Sequence, residues 1–167
     1  MRRGMDEIVL RSMAKWPDVP DVYGWLSLDR RGNWLLKGQR IGNAALRDFI
    51  SRNYTSDAQG RWFFQNGPQR VFVTLAYAPL VVRYEGDALL DHCGRVFSAT
   101  ASFLDGEGSV LLLGAAGLAL LDDRDLERYA DCASAFATLR RAEVPARFGF
   151  VLDPQPGNPC AASETPL

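Results

Sequence analysis

The sequence has no apolar run long enough to cross a membrane as a helix. Its longest apolar stretch, Val110 to Leu121, covers twelve residues, whereas a spanning helix needs about 20. The N-terminal segment MRRGMDEIVL carries two arginines, but Asp6 and Glu7 interrupt the apolar core that a secretory signal requires. We therefore expect a cytoplasmic protein that makes no contact with a membrane.

Histidine and cysteine are scarce. The chain has one histidine, His92, and three cysteines, Cys93, Cys132 and Cys160, without CxxC spacing. An odd number of scattered cysteines argues against a disulfide framework and favours a reducing compartment. A zinc site would need four ligands from these four residues, one of them near the C-terminus, so the sequence gives no support for zinc.

Other signatures of metal or phosphate binding are also missing. Asp122, Asp123 and Asp125 lack the central glycine and terminal glutamate of a calcium loop, and helix capping explains them more simply. The GAAG segment at 114–117 is not followed by the Lys-Ser/Thr pair of a phosphate-binding loop, so we interpret it as a turn. We expect no metal and no cofactor.

Net charge is small, at −1, but each sign is concentrated in one half of the chain. Residues 1–83 hold 13 Lys/Arg against 7 Asp/Glu, and residues 84–167 hold 6 against 13. Seventeen of the 19 basic residues are arginine, which suits bidentate contacts to carboxylates and other anions. The asymmetry indicates either two subdomains of opposite charge or an anion-binding face on the first half.

The most informative stretch is Gly60 to Leu75, GRWFFQNGPQRVFVTL. Aromatic and β-branched residues alternate on both sides of Asn66-Gly67-Pro68, which predicts a central β-hairpin. Both faces of its strands carry large apolar groups, so we expect a central or covered position in the sheet. Because Pro68 lacks an N–H and restricts Gly67, we predict a connection of about three to four residues.

The fold class predicted is α+β, a small helix-covered antiparallel sheet followed by a β-rich meander or roll. Residues 1–80 form a subdomain of two helices and two hairpins, residues 81–152 a β-rich subdomain with one helix, and residues 153–167 a mobile tail. The predicted helices are Met5–Lys15, Asn43–Tyr54 and a segment from Asp122 or Asp123 to about Ala137. The predicted strands of the second half are Leu80–Glu85, Arg95–Leu104, Ser109–Leu113, Leu118–Leu121 and Arg147–Leu152.

Three segments carry a family resemblance: KWPDVPDVYGWLSLDRRGNWLLKGQRI, LRDFISRNY and GRWFFQNGPQRVFVTLAYAPLVVRY. They resemble the hallmark of a small proteobacterial family catalogued only as a domain of unknown function, over about residues 14–84. A weaker likeness, DxxGxW followed by KGxxI, a helix with LxxF and a hairpin ending in APL, connects the chain with a second uncharacterised bacterial family. That second resemblance implies an α+β unit followed by a β-rich roll. Neither resemblance implies an activity.

The preferred functional hypothesis is a non-enzymatic module that binds a protein partner or a small anionic ligand at the cleft between the subdomains. It is motivated by the charge asymmetry and by the concentration of arginine and tryptophan in the first half. The candidate contacts are Arg40, Arg61, Arg70, Trp25 and Trp34. A homodimer that pairs through a sheet edge is also compatible with the pattern.

Two alternatives remain open. His92 and Cys93 combine a base and a nucleophile, as in a thiol or hydrolase-like enzyme, but adjacent residues of a strand point to opposite faces, so a dyad would need an irregular loop.

The second alternative is a platform for single-stranded nucleic acid on the hairpin face, where bases would stack on aromatic rings beside arginines. A pI near 5.8 and helix packing over the same face weigh against it. The platform residues are Arg61, Phe63, Gln65, Arg70 and Phe72.

Overall fold

A computed structural model describes residues 5–15 and 19–157, in which twelve strands form two six-stranded sheets. Sheet A contains β1 (Val22–Leu28), β2 (Trp34–Leu36), β3 (Gln39–Arg40), β4 (Tyr54–Ser56), β5 (Trp62–Asn66) and β6 (Gln69–Leu75). Sheet B contains β7 (Leu80–Glu85), β8 (Ala88–Asp91), β9 (Ala101–Asp105), β10 (Val110–Gly114), β11 (Gly117–Leu121) and β12 (Ala137–Leu139). The helices are α1 (Glu7–Lys15), α2 (Ala44–Arg52) and α3 (Val144–Phe148). The fold is α+β, as predicted.

The two sheets share the arrangement of five strands and differ in the sixth, which is β3 antiparallel to β2 in sheet A and β12 parallel to β9 in sheet B. Sheet A has the order β3-β2-β1-β6-β5-β4, and sheet B the order β12-β9-β10-β11-β7-β8. Each begins with a hairpin and continues with a three-stranded meander, whose last strand returns to pair in parallel with the first strand of the hairpin. Sheet A is therefore antiparallel except for the β1·β6 pair, which local sequence patterns do not predict.

The predicted central hairpin is present as β5 and β6, with Phe63 opposite Phe72. The predicted length of its connection is wrong, because Asn66 pairs with Gln69 and only two residues lie between the strands. Gly67 has φ 56° at the first turn position, where tight hairpins favour glycine. Pro68 fits the second position, whose N–H is not needed by the strand ladder.

Four turns share the pattern D-x-x-G and one geometry. In each, the aspartate Oδ1 accepts the backbone N–H groups two and four residues later, and the glycine has positive φ. Such side-chain bonds to the turn backbone are the reason aspartate favours these positions. The turns are Asp29–Gly32, Asp57–Gly60, Asp91–Gly94 and Asp105–Gly108. The strand predicted at Arg95–Leu104 begins only at Ala101, since residues 95–100 are irregular apart from an isolated bridge between Val96 and Leu90.

The segment after β11 also differs from the prediction. Instead of one helix through about Ala137, it forms 3-10 turns at Asp123–Tyr129 and Ala133–Ala135, followed by β12. The capping role predicted for Asp122 is confirmed, because its side chain accepts the Arg124 N–H at 2.9 Å.

The strand predicted at Arg147–Leu152 is wrong, since Val144–Phe148 forms α3. Pro145 lies in the first turn of this helix, and Gly149 ends it with φ 71°. Both residues are ordinary signals for the start and end of a helix. The chain after α3 runs extended, and its Leu152 carbonyl accepts the Leu75 N–H of β6 at 2.8 Å.

One apolar core runs through both sheets, and side chains such as Leu26 and Val73 of sheet A and Leu111 and Leu120 of sheet B belong to it. Because the core is shared, subdomain boundaries at 80 and 153 stay predictions. Of the tail predicted to be mobile, the structure describes residues 153–157, in which Pro154 is buried. The rest of that tail, and Trp16, lie outside the described residues.

Candidate functional site

A groove of about 750 Å³ opens where sheet A meets the loop that follows β8. We call it the inter-sheet groove. Its lining comes from both halves of the chain: Met5, Arg52, Tyr54, Thr55, Ser56, Trp62, Leu80, Asp91, Arg95, Val96, Phe97, Ser98, Ala115 and Ala116. A second depression of about 500 Å³ shares Arg52 and Asp91 with it and extends toward α2 and Cys93.

Arg95 enters the groove from the 91–94 turn. Asp91 Oδ1 fixes this turn by accepting the Cys93 and Arg95 backbone N–H groups at 2.9 and 3.0 Å. The Arg95 side chain, by contrast, is weakly held: Nη2 lies 3.4 Å from the Ser51 carbonyl, and the buried Nε has no hydrogen-bond partner. A buried donor without a partner is costly, so this guanidinium is a candidate for an external acceptor.

Arg61, the equivalent arginine after the Asp57–Gly60 turn, forms a shorter side-chain hydrogen bond within the fold than Arg95 does. Arg61 follows Gly60 as Arg95 follows Gly94, yet Arg61 Nε donates to Asp57 Oδ2 of its own turn at 2.8 Å. The same side chain lies over the Phe72 ring. Arg61 is thus satisfied within the fold, whereas Arg95 retains free donors.

Arg52, at the end of α2, is the second cation of the groove. Its Nε lies 3.3 Å from both carboxylate oxygens of Asp6, a long distance for a charge-assisted bond. Arg124 and Asp122 form a tighter contact of 2.6 Å elsewhere in the protein. Arg52 therefore has capacity to turn toward a stronger acceptor.

Asp91 differs in its pKa from the turn aspartates Asp57 and Asp105. Burial raises the pKa of Asp91, although the N–H donors of Arg95 and Cys93 and the Arg95 charge act in the opposite direction. For Asp57 and Asp105, burial also raises the pKa, but their hydrogen-bond donors prevail and the net pKa is lowered. A carboxyl group with a perturbed pKa, beside an arginine whose donors are not all hydrogen-bonded, is typical of functional sites.

Part of the groove lining is apolar. It is formed by Trp62 and by the loop and turn residues Val96, Phe97, Ala115 and Ala116. Val96 has 76% of its surface exposed. The groove lining thus combines charged residues with an apolar wall, the combination found in small-molecule sites.

The structure places the five predicted contacts outside both depressions. Trp34 is 2% exposed, and its Nε1 donates to the Ser51 hydroxyl in the core. Trp25 is 49% exposed and carries the Lys37 ammonium 3.9 Å above its ring. Arg40 is exposed on the edge strand β3. Their role as ligand contacts stays a prediction.

Arg61 and Arg70 lie together on one face of sheet A, as predicted from alternation. Arg61 covers the Phe72 ring and Arg70 covers the Phe63 ring, at 4.6 and 4.7 Å. Tyr23 stacks on Phe72 as well, and the two phenylalanines are only 1% and 3% exposed. Because no open ring face is left on them, the hairpin does not offer the stacking platform of the nucleic-acid alternative.

His92 and Cys93 are adjacent in a turn, as the enzyme alternative required, but their chemistry is unsuitable. Burial lowers the pKa of His92 to about 3, and its Nδ1 accepts the Val81 N–H at 3.1 Å. Burial raises the pKa of Cys93 to about 12. At neutral pH the imidazole is uncharged and the thiol is protonated, so the pair lacks the thiolate that nucleophilic catalysis needs.

The acidic run after β11 has structural partners. Asp122 binds Arg124, Asp123 binds Arg31, and Asp125 accepts the Tyr84 N–H at 2.9 Å. Among the described residues, no three His, Cys, Asp or Glu side chains gather as a metal site would require.

Sequence reasoning missed Arg52, Asp91 and Arg95 as a set. A usable signal was present, because D-x-x-G-R occurs at 57–61 and again at 91–95. What the pattern does not show is which of the two arginines binds its own turn and which does not.

Two sheets of like connectivity, a shared core and a groove at their junction define an α+β protein with a site of ligand-binding size. In the part of the chain that the structure describes, no helix is long and apolar enough to pass through a membrane. The chain belongs to the family described as "Protein of unknown function (DUF2946)", which it matches over residues 5–155. This confirms the resemblance to a domain of unknown function. None of the curated proteins matches the chain.

Solved structures with a similar fold come from a second uncharacterised family, as the weaker resemblance implied. A DUF1285 family protein from Silicibacter pomeroyi DSS-3 is 19% identical, with a TM-score of 0.53 over 78% of each chain. A DUF1285 family protein from Shewanella baltica OS155 is 15% identical, with a TM-score of 0.49 over 64% of this chain and 91% of that one. At such identities the likeness to the first protein describes the fold alone.

Proposed function

We propose that the protein binds a small anionic ligand in the inter-sheet groove, with Arg95 as the principal contact and Arg52 as the second. The observation that carries the proposal is the buried Arg95 Nε without a hydrogen-bond partner, beside a groove of about 750 Å³. Pockets of about 300–1,000 Å³ suit small molecules. The concave shape favours such a ligand over a protein partner.

Arg95 and Arg52 both have guanidinium donors that make no short hydrogen bond within the fold. An anion between Arg95 and Arg52 would receive charge-assisted hydrogen bonds, which are stronger than neutral ones. The Arg95 guanidinium would have to turn toward the groove for its Nε, which is shielded from solvent in this fold, to donate to the anion. Arg52 would exchange its long contacts to Asp6 for shorter ones.

The direct test is calorimetric titration of the full chain with acetate, butanoate, octanoate and inorganic phosphate. We expect binding of at least one anion and a loss of about tenfold or more in Arg95→Gln, because charged hydrogen bonds contribute about 1.5–3 kcal/mol. Arg40→Gln and Arg70→Gln serve as matched arginine variants outside the groove and should bind as the parent does. If these two lose the ligand while Arg95→Gln keeps it, the contacts predicted from the sequence are correct and the groove assignment is wrong.

Asp91 supplies a pH prediction. Its negative charge opposes an anion on Arg95, and because burial raises its pKa, protonation removes that charge as the pH falls. The affinity for the ionised form of a carboxylate should therefore rise as the pH is lowered from 7 toward the raised pKa of Asp91. His92 stays neutral in this range, since its pKa is about 3.

The matched variant is Asp91→Asn, whose amide oxygen can still accept the two turn N–H groups. It should bind the anion more tightly than the parent at pH 7 and lose the pH dependence. A parent affinity that falls on acidification, with Asp91→Asn unchanged from the parent, would contradict the arrangement.

We also propose that the protein acts in the cytoplasm. The free thiols of Cys93 and Cys132 support this, because disulfides are the rule in oxidising compartments and free thiols in reducing ones.

A further inference from the structure

The lining of the inter-sheet groove combines two chemistries, and this combination restricts the ligand. Arg52, Asp91 and Arg95 are charged residues of the lining, whereas Trp62 and the exposed Val96 belong to the apolar wall. Resting on the proposed anion binding, we propose that the ligand is an amphiphilic carboxylate: a singly charged head on Arg95 and an aliphatic or aromatic body along the wall.

The exposed side chains of the apolar wall support an apolar body in the ligand. Val96 follows Arg95 directly, yet it is 76% exposed and joins the sheet only through a single bridge to Leu90. Ala115 and Ala116, at the tip of the β10–β11 turn, are exposed beside it. An inorganic anion would leave this apolar surface in water, whereas an apolar body would cover it, at about fourfold in affinity per buried methylene.

The fixed geometry of the wall supports a defined body site rather than a loose patch. Trp62 packs against the β10–β11 turn, because its Cζ2 is 3.6 Å from where a Cβ on Gly117 would lie. Gly114 is fitted more closely, against the Phe97 ring and the Ser98 carbonyl, where a Cβ would come within 2.8 Å. The turn that carries Ala115 and Ala116 is thereby held against the aromatic residues of the groove.

The acidic side chains near Arg95 favour a singly charged head group. Asp91 lies in the same groove, and Asp48 and Glu85 line the adjoining depression. Like charges nearby oppose a doubly charged phosphate more than a singly charged carboxylate. A carboxylate also matches the planar, bidentate geometry of a guanidinium.

The test compares octanoate, butanoate, octanol and inorganic phosphate by calorimetric titration at pH 7. For the parent protein we expect octanoate to bind more than tenfold tighter than butanoate, and tighter than either octanol or phosphate. Val96→Ser should reduce the affinity for octanoate more than that for butanoate, so that their ratio falls at least threefold. Leu36→Ser, at an apolar residue 45% exposed outside the groove, should change neither.

The outcomes separate the two proposals. Equal affinity for octanoate and butanoate, phosphate binding tighter than octanoate, or a Val96→Ser variant that behaves as Leu36→Ser does would overturn the amphiphilic ligand. In each of those cases a loss of binding in Arg95→Gln would leave the anion site standing. If octanol binds as tightly as octanoate and Arg95→Gln has no effect, the anion site fails. Absence of binding by all four probes would overturn both.

Discussion

Replacing Gly60 by alanine is expected to destabilise the protein by about 2–5 kcal/mol. Gly60 has φ 79°, and a Cβ at this position would lie 2.0 Å from the Gly149 carbonyl oxygen, which is backbone and cannot rotate away. The left-handed conformation costs an L-residue about 1–2 kcal/mol, and overpacking adds about 1–3 kcal/mol. Because the Gly60 carbonyl accepts the Val151 N–H at 2.9 Å, the shift would also loosen the segment after α3.

Gly108→Ala is the matched control. Gly108 ends the same kind of turn with φ 85°, but a Cβ there would meet nothing within 4 Å. Its substitution should cost about 1–2 kcal/mol from the backbone alone. Urea unfolding of both variants measures the difference, and equal midpoints would show that the contact between Gly60 and Gly149 is not rigid.

The fold was predictable where local chemistry decides it. Alternating aromatic and β-branched residues specified β5 and β6, and Asn43 specified the start of α2, where its side chain accepts the Leu46 N–H at 3.0 Å. The helix α3 was predictable from Pro145 and Gly149, which mark its start and end. The apolar segment RFGFVL was instead interpreted as a strand. The parallel return of β6 beside β1 was not predictable, because it depends on non-local pairing.

The site was less predictable than the fold. Charge asymmetry motivated the hypothesis of an anionic ligand at a cleft between the halves, but it does not show which arginine each turn leaves unpaired. Arg61 and Arg95 occupy equivalent places in their turns, and only the tertiary structure gives one a carboxylate at 2.8 Å and the other a carbonyl at 3.4 Å. Arg52 looked like a water-facing helix residue, and its place in the groove depends on the packing of sheet B.

The same four turns supply the second large effect, at Asp105. Its Oδ1 accepts the Glu107 and Ser109 N–H groups at 2.9 and 2.8 Å, and its Oδ2 accepts the Tyr77 hydroxyl at 2.8 Å. Asp105 is 4% exposed, so water cannot replace it. Asp105→Ala should therefore cost about 3 kcal/mol or more, because each buried donor left unpaired costs about 1–3 kcal/mol.

Asp29→Ala is the comparison, since Asp29 makes the same two turn bonds and a third to the Asn33 amide, but is only half-buried. It should cost about 1 kcal/mol, as water can satisfy the released donors.

The pH dependence of the stability difference at Asp105 separates the effect of its charge from that of its packing. Burial alone would raise the pKa of Asp105, but its three donors lower the net pKa, so ionised Asp105 stabilises the fold. That stability is present above the unfolded pKa of about 3.9 and is lost as the pH falls through the lower native pKa. The stability gap between the parent and Asp105→Ala in urea should therefore narrow below about pH 4, and a gap that widens on acidification would contradict the ionised hydrogen-bond network.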